Sequence, residues 1–268
     1  MSEARMQENP QYAPGTFCWA ELTTTDGEAA KKFYTALFGW DAADMPIGPD
    51  MVYTMFKQDG KDVGAVYQMT GDMKAQGIPP NWLSYASVPS ADESVEKAKS
   101  LGATILQEPM DVFEFGRMAV IKDPTDAVFA LWQPGLHQGA GMTNLPNSMC
   151  WNELATRDTA KAGEFYQQLF GWGADAQEMG PMTYTMFTNQ ERPTAGMYVP
   201  PAEMGDVPPH WLVYFAVADS DALATKATEL GAKVCVPPTD IPGIGRFAVI
   251  QDPQGAAFAI IKLLQPQT

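Results

Sequence analysis

Basic residues are scarce in this chain. Lys and Arg number 17 against 32 Asp and Glu, for a formal net charge of -15 over 268 residues. Such a surface repels phosphate backbones and anionic lipid, so neither nucleic acid nor membrane is expected as a partner. Histidine is scarcer still, with only His137 and His210. The three cysteines (Cys18, Cys150 and Cys235) are an odd count without short-range pairing. That argues against a disulfide framework and fits a reducing, cytoplasmic compartment. No run approaches the roughly 20 apolar residues of a membrane span. The opening MSEARMQENPQYAPG has no apolar core and no basic cluster, so it does not read as a signal peptide. Gly-rich phosphate loops, a nucleophile elbow and a Cys-x-x-Cys pair are all missing. Nucleotide cofactors, serine-hydrolase chemistry and structural zinc therefore have no support, and no cofactor is expected.

What the chain does have is a copy of itself. CWAELTTTDGEAAKKFYTALFGW, from Cys18 to Trp40, returns as CWNELATRDTAKAGEFYQQLFGW, from Cys150 to Trp172. Trp19/Trp151, Glu21/Glu153, Asp26/Asp158, Tyr34/Tyr166 and Trp40/Trp172 share one offset of about 132 residues. Further on, PPNWLSYASV is answered by PPHWLVYFAV and FGRMAVIKDP by IGRFAVIQDP. These later pairs sit about three residues closer, a difference that loops absorb. The repeat implies two domains of a size that can bury a core.

Local patterning gives the elements. Residues 1–14 read as a polar, mobile tail, 15–133 as the first domain, 134–147 as a Gly/Pro/Asn-rich linker and 148–265 as the second domain. Asp26 predicts an N-cap for a helix over 28–38, with Ala29, Phe33 and Leu37 on one face and Gly39 ending it. VYTMFKQDGKDVGAVYQM predicts two strands around the Asp59-Gly60 turn. A strand from Trp82, a helix over 92–101 and further strands follow. Each half therefore runs strand–helix–strands twice.

Taken together, these motifs resemble the vicinal oxygen chelate superfamily, also called the glyoxalase/bleomycin resistance/extradiol dioxygenase superfamily. The tandem W.EL…D…FY..LFGW resembles its two-domain, CFP30B-like or hydroxylase-named branch. The resemblance covers about residues 15–264. It implies an α+β fold of two tandem domains, each with two βαβββ modules forming a curved sheet around a cavity. It also implies a divalent metal in catalytic members, held by His, Gln or Glu on three strands. Alignment on the helix-starting Asp puts those ligand positions at Trp19, Leu83 and Ala130, and at Trp151, Leu212 and Ala259. None of the six carries a metal donor, so no metal is expected.

Side chains alternate along a strand, so Trp19 shares a face with Glu21, and Trp151 with Glu153. If that face lines the cavity, Glu21 and Glu153 are candidate general bases, raised in pKa by desolvation. Otherwise they are paired or solvated strand-end carboxylates. His210 and Tyr214 share a face with Leu212, and Tyr85 matches Tyr214. They are candidate ligand contacts, although a His beside Pro-Pro also suits a loop. Arg117 and Arg246 each follow a Gly, and either grip a ligand anion at the cavity mouth or tie a loop to the acidic surface. Trp19 and Trp151 are candidate pocket walls because they stand where ligands would be, whereas Trp40 and Trp172 read as packing. Two functions fit. One is a small-molecule-binding protein, monomeric or a weak homodimer, with an aromatic-lined cavity in each domain for a planar or apolar organic ligand. The other is a lyase, isomerase or hydroxylase-type enzyme using Glu21 or Glu153 as base.

Overall fold

The computed structural model describes residues 12–49, 51–179 and 182–264. The first domain contains β1 (Phe17–Thr24), α1 (Gly27–Phe38), β2 (Asp41–Gly48), β3 (Met51–Gln58) and β4 (Lys61–Gln68). It continues with α2 (Gly71–Ala75), β5 (Asn81–Ser87), α3 (Ala91–Ser100), β6 (Thr104–Val112), β7 (Gly116–Lys122) and β8 (Val128–Pro134). The second contains β9 (Met149–Ala155), α4 (Thr159–Phe170), β10 (Gly173–Met179), β11 (Met182–Asn189) and β12 (Arg192–Tyr198). After a short helical turn come β13 (His210–Ala216), α5 (Ser220–Glu229), β14 (Lys233–Ile241), β15 (Gly245–Gln251) and β16 (Ala257–Leu263).

Each domain is one eight-stranded sheet, ordered β2-β3-β4-β1-β5-β8-β7-β6 and β10-β11-β12-β9-β13-β16-β15-β14. Each sheet joins two βαβββ modules at its centre, where β1 pairs antiparallel with β5, and β9 with β13. This is the curved α+β architecture that the family resemblance implies. Helix α1 starts where Asp26 accepts from the Ala29 N–H, and stops at Gly39 in the left-handed region, φ 76°. Its buried stripe is Ala30, Phe33, Tyr34, Leu37 and Phe38, one position round from the Ala29-centred face expected. The shift arises because α1 packs against two surfaces at once. Strands β2 and β10 gave no alternating signal because nearly every side chain on them is exposed. The tail expected over 1–14 lies outside the described residues as far as residue 11. Tyr12 is described, and its hydroxyl donates to the Ala140 carbonyl at 2.7 Å.

The helices lie between the two sheets, and the cores cross from domain to domain. One core joins Leu22, Tyr34, Phe38 and Trp40 to Phe215, Ile250 and Phe258. The other joins Ile121 and Phe129 to Leu154, Tyr166, Phe187 and Trp211. Each core thus takes the first module of one domain and the second module of the other. Polar bonds repeat the exchange. Trp82 donates to the Tyr34 hydroxyl (2.9 Å), which donates to Asp252 (2.9 Å). Trp211 donates to the Tyr166 hydroxyl (2.8 Å), which donates to Asp123 (2.8 Å). The other carboxyl oxygen of each Asp accepts backbone N–H groups of its own turn. Trp40 and Trp172 reach across likewise, to the carbonyls of Asn147 and Gly15. No described helix is long and apolar enough to cross a membrane.

Removing the middle of one relay leaves a buried carboxylate oxygen and a buried indole N–H without their partner. Tyr166→Phe is expected to cost about 1–3 kcal/mol, because a buried polar group keeps its desolvation cost when its partner goes. Because the cores are shared, urea unfolding monitored by circular dichroism should remain a single transition in both wild type and variant. Two separated transitions would contradict the shared-core packing.

Candidate functional site

Along β9 the alternation expected from sequence places Trp151 and Glu153 at a cavity of about 490 Å³ on the concave face of the second sheet, and a register shift beside Trp151 brings Cys150 to it as well. Leu212 and Tyr214 on β13 line it too, opposite Glu153 and Trp151 in the register. Tyr184, Tyr198 and Phe247 add aromatic wall, and Met179, Met182, Met186 and Met204 add flexible apolar wall. A smaller hollow of about 100 Å³ against the linker shares Cys150, Trp151 and Pro193 with it.

Glu153 is the one charged side chain among the described lining residues. It accepts from the Tyr214 hydroxyl at 2.8 Å, and Tyr184 stands beside it. The Tyr184 hydroxyl takes the Trp151 indole N–H at 3.0 Å, which leaves its own proton to donate. Burial raises the Glu153 carboxyl above its ordinary value, against the two tyrosines, which lower it. The same burial lifts Tyr198 to about 12, with the nearby Glu153 charge adding to it. Cys150 is also buried and pushed up to about 12, so it is a thiol at neutral pH. Gly196 lies opposite Glu153 on β12, and a Cβ there would collide with the Tyr184 hydroxyl oxygen. Gly196 is thus what lets Tyr184 lie across the sheet towards the carboxyl.

The first sheet carries the same constellation, closed. Glu21 is 9% exposed and both its oxygens are taken, by Tyr53 at 2.6 Å and Tyr85 at 2.9 Å. Trp19, Tyr85 and Trp132 are buried. The loop after β8 folds back through Gly135, Leu136 and His137, whose N–H groups donate to Glu114 and Phe115 carbonyls. This lays the His137 ring edge-on against Trp19, with centroids 4.7 Å apart, and beside Trp132. A cavity in each domain was expected. The cavity described above lies in the second domain; on the matching face of the first, His137 and Ala140 of the linker pack against Trp19. His137 was assigned to the linker with no site role, and sequence spacing alone does not show that the linker doubles back. Its imidazole is buried, which lowers its pKa, with the Asp62 charge opposing.

The remaining sequence candidates lie elsewhere. His210 opens β13 and its Nδ1 sits 2.9 Å from the Pro208 carbonyl, as a loop-edge residue would. Arg117 is engaged by Asp92 and Asp111, and Arg246 by Asp221 and Asp240. Neither guanidinium is brought to a cavity mouth, because the acidic helix starts and hairpin edges beside them satisfy them first. Tyr184 and Gly196 were not singled out as partners of the carboxyl. The duplicated TYTMF/VYTMF segments held the clue, since Tyr53 and Tyr184 occupy the same place.

The positions that the resemblance gives for metal ligands carry the indole of Trp151, the isobutyl group of Leu212 and the methyl of Ala259, on three adjacent strands. Among the described residues no three His, Cys, Asp or Glu side chains come together as a metal would need. One carboxylate flanked by phenols does not fit such an ion.

The paired βαβββ modules form a duplicated scaffold with a cavity of ligand size on the concave face of the second sheet. The chain belongs to the Glyoxalase/Bleomycin resistance protein/Dioxygenase superfamily, whose model matches residues 16–131 and 149–260. It is 40% identical over 259 residues to CFP32 of Mycobacterium tuberculosis, provisionally named a glyoxylase, covering 96% of this chain and 98% of that one. It is 36% identical over 263 residues to the anthracycline biosynthesis protein DnrV of Streptomyces peucetius, covering 94% and 95%. The Mn(II)-bound glyoxalase of Novosphingobium aromaticivorans shares the fold, with a TM-score of 0.65, 14% identity, and 94% and 83% coverage.

The carboxyl's environment has a stability consequence. Burial favours neutral Glu153, so the folded protein holds a proton that the unfolded chain releases. Stability from this group falls as pH rises from the unfolded value of about 4.3 through the raised folded one. Glu153→Gln removes that loss while still accepting from Tyr214. Its melting temperature is expected to exceed wild type by a few degrees at pH 8, on the order of what 1 kcal/mol gives in a chain of this size. At pH 4 the gain should shrink towards zero. Equal gains at both pH values would show that Glu153 is not held against its charge.

Proposed function

We propose that this chain is a small-molecule-binding protein that takes one planar, largely apolar organic molecule in its second domain, without the divalent metal of its catalytic relatives. The observation that carries this reading is the open cavity of about 490 Å³. That volume lies in the ordinary range for drug-sized ligands, about 300–1,000 Å³. Aromatic faces suit a flat ring system, and methionines adapt to its outline. Two relatives, DnrV and DauV, are named for anthracycline biosynthesis, and an anthracycline is a planar fused-ring molecule. The linker occupies the first concave face, so the reading is one ligand per chain. The back-to-back packing of the sheets is supplied within the chain, so a monomer or weak dimer suffices, and the acidic surface suits a cytoplasmic protein.

A second reading is favoured by Glu153 itself. A carboxyl raised by burial, exposed to a cavity and flanked by two phenols is placed as a general base beside an oxyanion donor, as a lyase, isomerase or hydroxylase-type enzyme needs. Under it, any turnover should fall by about 10²–10⁴ in Glu153→Gln.

The test is a titration of chelator-treated protein with anthraquinone, followed by tryptophan fluorescence. One saturable site per chain is expected, and Leu212→Trp, which fills the cavity, should abolish it while leaving the melting transition intact. Absence of saturable binding, or binding untouched by Leu212→Trp, would overturn the assignment.

A further inference from the structure

The charge of the ligand is written into the walls of this cavity. Besides Glu153, every described lining residue is uncharged: aromatic, aliphatic, Met, Pro or Cys. No Lys, Arg or His among them offers a counter-charge, and the nearest candidate arginine, Arg246, is engaged by Asp221 and Asp240. In the first domain the matching carboxyl has both oxygens satisfied by tyrosine hydroxyls. In the second, Tyr214 donates to Oε1, Tyr184 stands beside the carboxyl, and the group lines an open cavity. Comparison of the two copies thus isolates one carboxyl that the fold leaves facing a ligand-sized space.

We infer that the second-domain cavity selects a planar aromatic molecule bearing a protonated amine, which sets its ammonium against Glu153 and the faces of the surrounding aromatic rings. This rests on the reading of that cavity as a ligand site. Burial favours the neutral carboxyl, and an arriving ammonium favours the charged one, so binding of the cation is coupled to release of the Glu153 proton. Trp151, Tyr184, Tyr198 and Tyr214 stand around or beside the carboxyl, and ring faces attract an ammonium when water is excluded. A ligand carboxylate would be desolvated with no compensating cation in the lining and would press the Glu153 carboxyl further towards its neutral form, which is unfavourable at short range. A neutral hydroxyl falls between, donating to the carboxyl without charge assistance.

The test uses three probes of one shape: anthracenylmethylamine, anthracenemethanol and anthracenecarboxylate. Their affinities for the full chain are measured at pH 7.5 by calorimetry (pH chosen so that the amine is protonated, about neutral conditions). The amine should bind tighter than the carboxylate by roughly 100-fold, the scale of a charge-assisted hydrogen bond gained against a repulsion avoided. In Glu153→Gln that ratio should collapse by about tenfold or more. In Glu21→Gln, whose site is closed by the linker, it should stay as in wild type. If the alcohol binds but the amine has no advantage over the carboxylate, the charge preference is wrong while the ligand site stands. If the preference survives in Glu153→Gln, the carboxyl does not set it. If none of the three binds, the ligand site itself is wrong and the charge preference falls with it.

Discussion

A phenol hydroxyl reaching from the helix of one domain to a turn carboxylate of the other holds this molecule in register. Tyr34 meets Asp252 and Tyr166 meets Asp123, each phenol also taking an indole N–H from its own sheet. Burial raises all four groups above their ordinary pKa values, so these are polar contacts that only a complete network makes tolerable. The same carboxylates gather the N–H groups of the turns that lead into β8 and β16. One interaction thus fixes the helices, the turns and the mutual position of the sheets. With the convex faces committed to each other, the concave faces are left for ligands.

Duplication would give two equal concave faces, and it is the chain's connectivity that makes them differ. The segment leaving β8 must travel to β9, and on its way it lays His137 over Trp19. The corresponding segment after β16, residues 265–268, lies outside the described residues. Among those described, the first copy's carboxyl is buried under its tyrosines and the second's lines a cavity, although their Trp, Glu and Tyr residues correspond one for one. Of the positions the family resemblance gives for metal ligands, Trp151 and Leu212 are apolar wall of the cavity, and Glu153 is the charged group among its described lining residues.

Much of this was legible in the sequence. The repeat gave the modules, the Asp caps and left-handed Gly39 and Gly171 gave the helix limits, and alternation put Trp and Glu on one face. Three things were not. The exposed strands β2 and β10 carry no hydrophobic period, because their side chains face water on both sides. The pairing of FY in one copy with the turn Asp of the other is a contact between distant segments, and neither motif shows its partner. For Arg117 and Arg246 an anion grip and a tie to the acidic surface both stayed open, because spacing along a strand says nothing about the carboxylates on the neighbouring helix and strand. The closed first cavity belongs to the same class: composition marks residues 134–147 as a linker, but only the fold shows where it lies.

The most direct measurement is a crystal structure of the chelator-treated protein grown with anthracenylmethylamine. The account predicts one aromatic ring system per chain, on the concave face of the second sheet, flat against the Trp151 and Tyr184 side of the cavity, with its nitrogen on the Glu153 carboxyl. Ring density in the first domain beside Trp19, or a metal ion retained by Glu153 through chelation, would contradict it.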